Sequence, residues 1–143
     1  MKITVELSKL DFHGHGDKIM NDTAFWTFAA TEWHRLYSPY VPVGDSGNLR
    51  DQVDIRPKEI THTVPYAHYQ YEGIVYGPNI PISDGVKTTK FISPPHKRPT
   101  GARLKYRSGK ASAKWDQAAA GTQLPKLVDS LQAYIDSGRI KLD

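Results

Sequence analysis

The chain has 143 residues, 38% of them hydrophobic, a formal net charge of +4 and no cysteine. That length supports one domain with a modest core, and the lack of thiols excludes a disulfide scaffold and thiolate metal sites. No apolar run approaches the ~20 residues of a membrane-spanning helix, and the opening Met-Lys-Ile-Thr-Val-Glu has no apolar signal core, so a single domain over residues 1–143, made in a reducing cytoplasm, is expected.

Ile3, Val5 and Leu7 alternate with polar residues, the period of a half-buried strand. His13-Gly14-His15-Gly16 then reads as a turn. Ile19, Trp26, Ala30, Trp33 and Tyr37 recur at three- and four-residue steps and predict a helix from about Asp17 to Tyr37, with its aromatic stripe in the core. Pro39, Pro42, Gly44 and Gly47 mark the turn that follows. Short strands are predicted over Gln52–Arg56 and Glu59–Val64, joined at Pro57-Lys58 and therefore antiparallel.

Residues 64 to 73, Val-Pro-Tyr-Ala-His-Tyr-Gln-Tyr-Glu-Gly, are the most informative stretch. Pro65 fits the first turn of a short helix, and Gly73 fits the left-handed residue just after its end. Each Tyr hydroxyl needs a polar partner when buried, whereas Tyr-rich surfaces commonly meet another protein. Tyr66, His68, Tyr69 and Tyr71 are therefore candidates for a subunit interface.

Downstream, the chain is rich in proline and glycine, with at most one hairpin expected, Ile74–Tyr76 against Lys90–Ile92. Lys87, Lys90, Lys97, Arg98, Arg103, Lys105, Arg107 and Lys110 fall here with no acid among them. Removing these eight from the 19 Lys and Arg leaves 11 against 15 acids, a body of charge −4. Residues 86–111 thus read as an extended basic loop or arm. The C-terminal part reads as a helical piece over Ser112–Ala120, a break at Gly121, and a second piece over Pro125–Ser137 with Leu127, Leu131 and Ile135 on its buried face. Trp115 is expected against the aromatic stripe, Gly138 as the helix stop, and Ile140 with Leu142 as a last short strand. The fold class that follows is α+β: a small antiparallel sheet packed by an N-terminal and a C-terminal helix, with a long basic loop.

The Tyr-rich element, taken with Tyr37-Ser-Pro-Tyr-Val-Pro-Val-Gly-Asp-Ser-Gly-Asn-Leu-Arg50 and Ser112-Ala-Lys-Trp-Asp-Gln-Ala-Ala-Ala-Gly121, resembles the minor capsid protein family of tailed bacteriophages and prophages, within the tail-completion and head–tail joining group. The resemblance runs over about residues 3 to 135. It implies a structural virion protein of the head–tail connector or neck, completing or capping the tail tube and joining it to the head around a DNA channel. It also implies a homo-oligomeric ring, typically sixfold, that contacts tail-tube or tail-terminator subunits and head-connector proteins. A place in the capsid shell is the other site the family admits.

Chemistry finds little footing. His13, His15, His62 and His68 follow no metal-ligand spacing, so turn and interface histidines are expected in place of a metal centre. There is no Gly-x-Ser-x-Gly elbow, phosphate-binding glycine loop or cysteine nucleophile, and Asp45, Asp51 and Asp54 are ordinary turn carboxylates. No enzyme activity, cofactor or membrane partner is expected. The basic loop fits an arm that orders against a neighbouring subunit, or a non-specific contact with DNA in the channel. The alternative reading of the whole chain is a soluble nucleic-acid-binding module acting through that loop.

Overall fold

The structure is a computed structural model that describes residues 1–6, 16–42, 48–77, 80–83, 88–92, 98–106 and 109–140. The short strands β1 (Lys2–Thr4), β2 (Val53–Arg56) and β3 (Glu59–His62) form one antiparallel sheet in the order β1-β3-β2. Its register aligns Ile3 with Ile60 and Ile60 with Ile55, a row of isoleucines across all three strands. Alternation then carries Ile60 and His62 to the buried face, while Glu59 on the other face meets Lys2 at 3.5 Å. The β2–β3 turn lies at Pro57-Lys58 as the sequence indicated, with Lys58 in the left-handed region at φ 64°.

The predicted N-terminal helix is two helices. α1 (Gly16–Met20) ends before Asp22, whose carboxylate accepts the Phe25 N–H at 2.8 Å and caps α2 (Thr23–Tyr37). An aspartate at this position competes for the backbone more strongly than it extends a helix, so the periodic stripe crosses a boundary. Trp26, Trp33 and Tyr37 are core residues of α2 as expected. A short helix α3 (Asn48–Asp51), which the turn signals concealed, buries Leu49.

At the C-terminus, the predicted two pieces are one helix, α5 (Trp115–Asp136), with Gly121 and Pro125 inside it. Pro125 lacks the N–H that would bond the Gly121 carbonyl, and its ring crowds that same position. A glycine there gives the backbone room to yield, so the helix continues. Leu127, Leu131 and Ile135 are buried as predicted, and Gly138 takes the left-handed stop at φ 80°. Ile140 is buried but lies in no strand, and Leu142 is outside the described residues.

The two long helices do not sit side by side on the sheet. α2 packs on β2 and β3, and α5 packs chiefly along α2. Phe25 and Phe28 of α2 meet Tyr134 of α5 at ring distances of 5.7 and 4.8 Å. No helix among the described residues is long and apolar enough to cross a membrane.

The expected basic loop is strand over much of its length. β4 (Ile74–Gly77) pairs with β7 (Arg98–Arg103), and β5 (Ile80–Ser83) pairs with β6 (Thr88–Ile92), both antiparallel. The two ladders nest in chain order, with β5 and β6 between β4 and β7, and together they are called the arm. Ile74–Tyr76 therefore pairs with Arg98–Arg103, not with Lys90–Ile92, whose partner is Ile80–Ile82. Proline is tolerated because a two-stranded ladder has outward-facing positions on both strands. Lys87, Lys97 and Arg107 lie outside the described residues.

Candidate subunit interface

The sequence places Pro65 after β3, and the chain turns there into α4 (Ala67–Glu72). Helical spacing divides the aromatic run into two faces. Ala67 is buried at 1% exposure, and Tyr71, four residues on, points the same way. Its ring meets Trp115 edge to face at 4.9 Å, and its hydroxyl donates to Asp116 Oδ1 at 2.6 Å. Burial, and then the Asp116 carboxylate, hold this phenol well above the ordinary tyrosine range. Tyr66 and Tyr69, three residues apart, face outward at 43% and 38% exposure. His68 is exposed beside Tyr69, with rings 5.7 Å apart.

The four candidates thus separate. Tyr66, His68 and Tyr69 share the outer side of α4, whereas Tyr71 is committed to the fold. Its half-buried ring and charged hydrogen bond tie it to Trp115 and Asp116 within the chain. Ala67 carried the signal, because a small residue four positions before Tyr71 marks the packed face.

Gly73 closes α4 in the left-handed conformation at φ 69°, as predicted. A Cβ there would stand 2.6 Å from Ala113 Cβ and 3.0 Å from Tyr106 Oη. The crowding arises because the segment returning from the arm straps across the helix end. Tyr106 donates to the Gln70 carbonyl at 2.6 Å, Leu104 N–H to Gly73 O at 2.9 Å, and Lys114 N–H to Tyr71 O at 2.8 Å. Carbonyls that a helix end leaves unpaired are supplied here by the chain leaving the arm. One cross-link set therefore anchors both α4 and the root of the arm. The roles of Tyr106, Ala113 and Asp116 have no local sequence signature, since each acts on a residue more than 30 positions away.

Gly73→Ala is expected to combine the left-handed penalty of ~1–2 kcal/mol with a steric clash, lowering the melting temperature by several degrees. A melting curve superposable on that of the parent chain would show that the strap is not closed over α4.

Of the basic residues, Arg103, Lys105 and Lys110 are exposed, and the Lys110 ammonium lies 5.7 Å from the Tyr40 ring. Lys90 belongs to β6 and Arg98 to β7. The charge thus follows the arm and the strap that leaves it.

His62 corrects the expectation of an exposed or interfacial histidine: it is 1% exposed. Nδ1 lies 2.8 Å from the Leu49 carbonyl, which can only accept, so Nδ1 carries the proton. Nε2 then accepts from the Tyr37 hydroxyl at 2.8 Å. The ring also meets Trp115 at 5.3 Å, linking β3 to α5. The expected contact of Trp115 with the aromatic stripe runs through this histidine to Tyr37. His34, 6.1 Å from His62 between ring centres, is held by its Nε2 contact to Arg50 O at 2.8 Å. Among the described residues, no three His, Cys, Asp or Glu converge as a metal site. His13 and His15 are outside the described residues.

Burial pushes the His62 pKa below its ordinary value, and the nearby His34 and amino terminus push the same way against the Leu49 carbonyl and Asp116. The unfolded chain takes up this proton near pH ~6.5, before the folded protein does. Stability associated with His62 is therefore complete above that pH and is lost as pH falls below it, by at most ~1.4 kcal/mol per pH unit. Urea unfolding of the parent chain from pH 7.5 to 5 should show this decline, and His62→Gln should flatten it. An unchanged slope in that variant would assign the decline to other groups.

Comparison with known proteins finds no matching family model, no matching curated protein and no matching solved structure.

Proposed function

We propose that this chain is a structural protein of a tailed-phage particle, placed at the head–tail connector or neck, where it completes or caps the tail tube and joins it to the head. The observation that carries this reading is the unit formed by α4 and the arm. Tyr66 and Tyr69 face outward on the helix that leads into β4, and the strap through Tyr106 and Leu104 ties the end of that helix to the chain leaving β7. Outward tyrosines beside the β4–β7 ladder suit contact between protein subunits. The resemblance of three sequence elements to the tail-completion and head–tail joining group gives that contact its setting. Copies of the chain form a ring, six by that likeness, with tail-tube or tail-terminator proteins on one side, connector proteins on the other and DNA through the centre. The role is assembly, without catalysis.

The exposed Arg103, Lys105 and Lys110 support a second reading, in which the basic segment binds nucleic acid. The two readings differ in solution. A ring protein gives a multiple of the 16.1 kDa chain mass, alone or with its partner, and keeps it in high salt. A nucleic-acid module stays small and loses DNA affinity steeply as salt rises. Electron cryo-imaging of intact particles carrying a tagged copy decides the position. A ring at the head–tail joint is expected, and label scattered over the shell would overturn the neck assignment.

A further inference from the structure

The outer ladder of the arm has few neighbours among the described elements. β5 and β6 pair with each other, and no other described element is a substantial neighbour of either strand. Their register sets Ile80 opposite Ile92 and Ile82 opposite Lys90, so three isoleucine positions and a lysine position share one face of the ladder. A lone two-stranded ladder is marginal in water and gains stability when an apolar face is covered.

A complementary surface lies on α5. Two cavities, of about 330 and 170 Å³, run along this helix and share Ala120 and Leu124. Pro125 and Val128 extend the apolar floor in one direction. Carboxylates stand along the course: Glu6 and Asp116 at one end, Asp129 at the other. No Lys or Arg is among the described lining residues. From Asp116 to Asp129 the helix rises ~20 Å, the span of a strand of about six residues.

We propose that the outer arm ladder of one copy lies in the α5 groove of a second copy. Apolar floor meets the isoleucine face, and the acidic ends of the groove meet the arm, whose residues 74–103 hold Lys87, Lys90, Lys97, Arg98 and Arg103 against the single acid Asp84, while the chain outside residues 87–110 carries −4. This rests on the assembly reading above and names where the arm goes. Since opposite charges favour the encounter and apolar contact holds it, the joint should form faster at low salt yet persist at high salt.

The chain has no cysteine, so introduced thiols report on this joint alone. Ile82→Cys and Ala120→Cys are made as separate proteins, mixed and oxidised mildly, with Val128→Cys as a second groove position should Ala120→Cys fold poorly. A covalent dimer containing one of each variant, absent when either is oxidised alone, is the expected result. Sedimentation of the parent chain at the same concentration is read in parallel. A parent chain that assembles while the mixed variants do not cross-link would overturn the groove assignment and leave the assembly reading standing. A parent chain that remains a monomer with no cross-link would overturn the groove assignment, and one that remains a monomer in the presence of tail-tube and connector proteins as well would overturn both. If the chain bearing both Ile82→Cys and Ala120→Cys closes on itself at monomer mass, the arm occupies its own groove and a second copy is not the occupant.

Discussion

Trp115→Ala is expected to cost ~3–5 kcal/mol, a third or more of the stability of a domain of about 10 kcal/mol. Trp115 is the largest fully buried side chain, and its indole meets two groups from distant parts of the chain. These are Tyr71 of α4, at 4.9 Å, and His62 of β3, at 5.3 Å. Truncation removes both ring contacts and opens a cavity at the point where the sheet, α4 and α5 meet. It also exposes the Tyr71–Asp116 hydrogen bond to water. Trp115→Phe keeps most of the ring contact and should recover more than half of the loss, because the indole N–H is buried without a partner among the described residues. Denaturant titration of the three proteins gives the order directly. A cost below ~1 kcal/mol for the alanine variant would show that α5 does not close on the sheet through this residue.

The elements legible in the sequence are those in which local chemistry and tertiary packing agree. Alternation through Ile3 and Val5, and through Ile60 and His62, fixes the sheet faces, and Pro57-Lys58 fixes the hairpin between β2 and β3. The same alternation marks His62 as inward, so its burial was readable from its place two residues after Ile60. The frame of α4 was readable too, because a left-handed glycine at its end leaves few alternatives. Where the reading failed, a distant partner decided the outcome. A stripe of spacing 3 and 4 cannot reveal that the Asp22 carboxylate cuts it. Gly121 and Pro125 each disfavour a helix singly, yet α5 runs through both because buried residues anchor it on either side, Trp115 and Ala119 before and Leu127 and Leu131 after. The pairing of Ile74 with Arg103 spans an insertion whose composition says turn and charge, not register. For the candidate interface, the residue types were visible and Ala67 marked the face of Tyr71, but its partners Trp115 and Asp116 were not legible.

That division gives the second large effect. Tyr66→Ala combined with Tyr69→Ala is expected to leave the melting transition within about 1 kcal/mol of the parent, since both rings are outward and more than a third exposed. Assembly should be lost, because interface tyrosines commonly cost ~2 kcal/mol or more each on truncation. The loss repeats at every joint of a ring, so a modest weakening per contact becomes a large one for the closed assembly. Tyr71→Phe provides the opposite case. It removes the hydroxyl donated to Asp116 at 2.6 Å and leaves a part-buried carboxylate short of a partner, a loss of ~1.5–3 kcal/mol in fold stability. Below its lowered melting temperature this variant should still assemble. Thermal melting and sedimentation, measured on the same two samples, therefore cross: one variant folds without assembling, and the other assembles with a weaker fold. A collapsed melting transition in the Tyr66/Tyr69 variant would return these rings to the core. Normal folding together with normal assembly would remove α4 from the interface and leave the arm to make the joint alone.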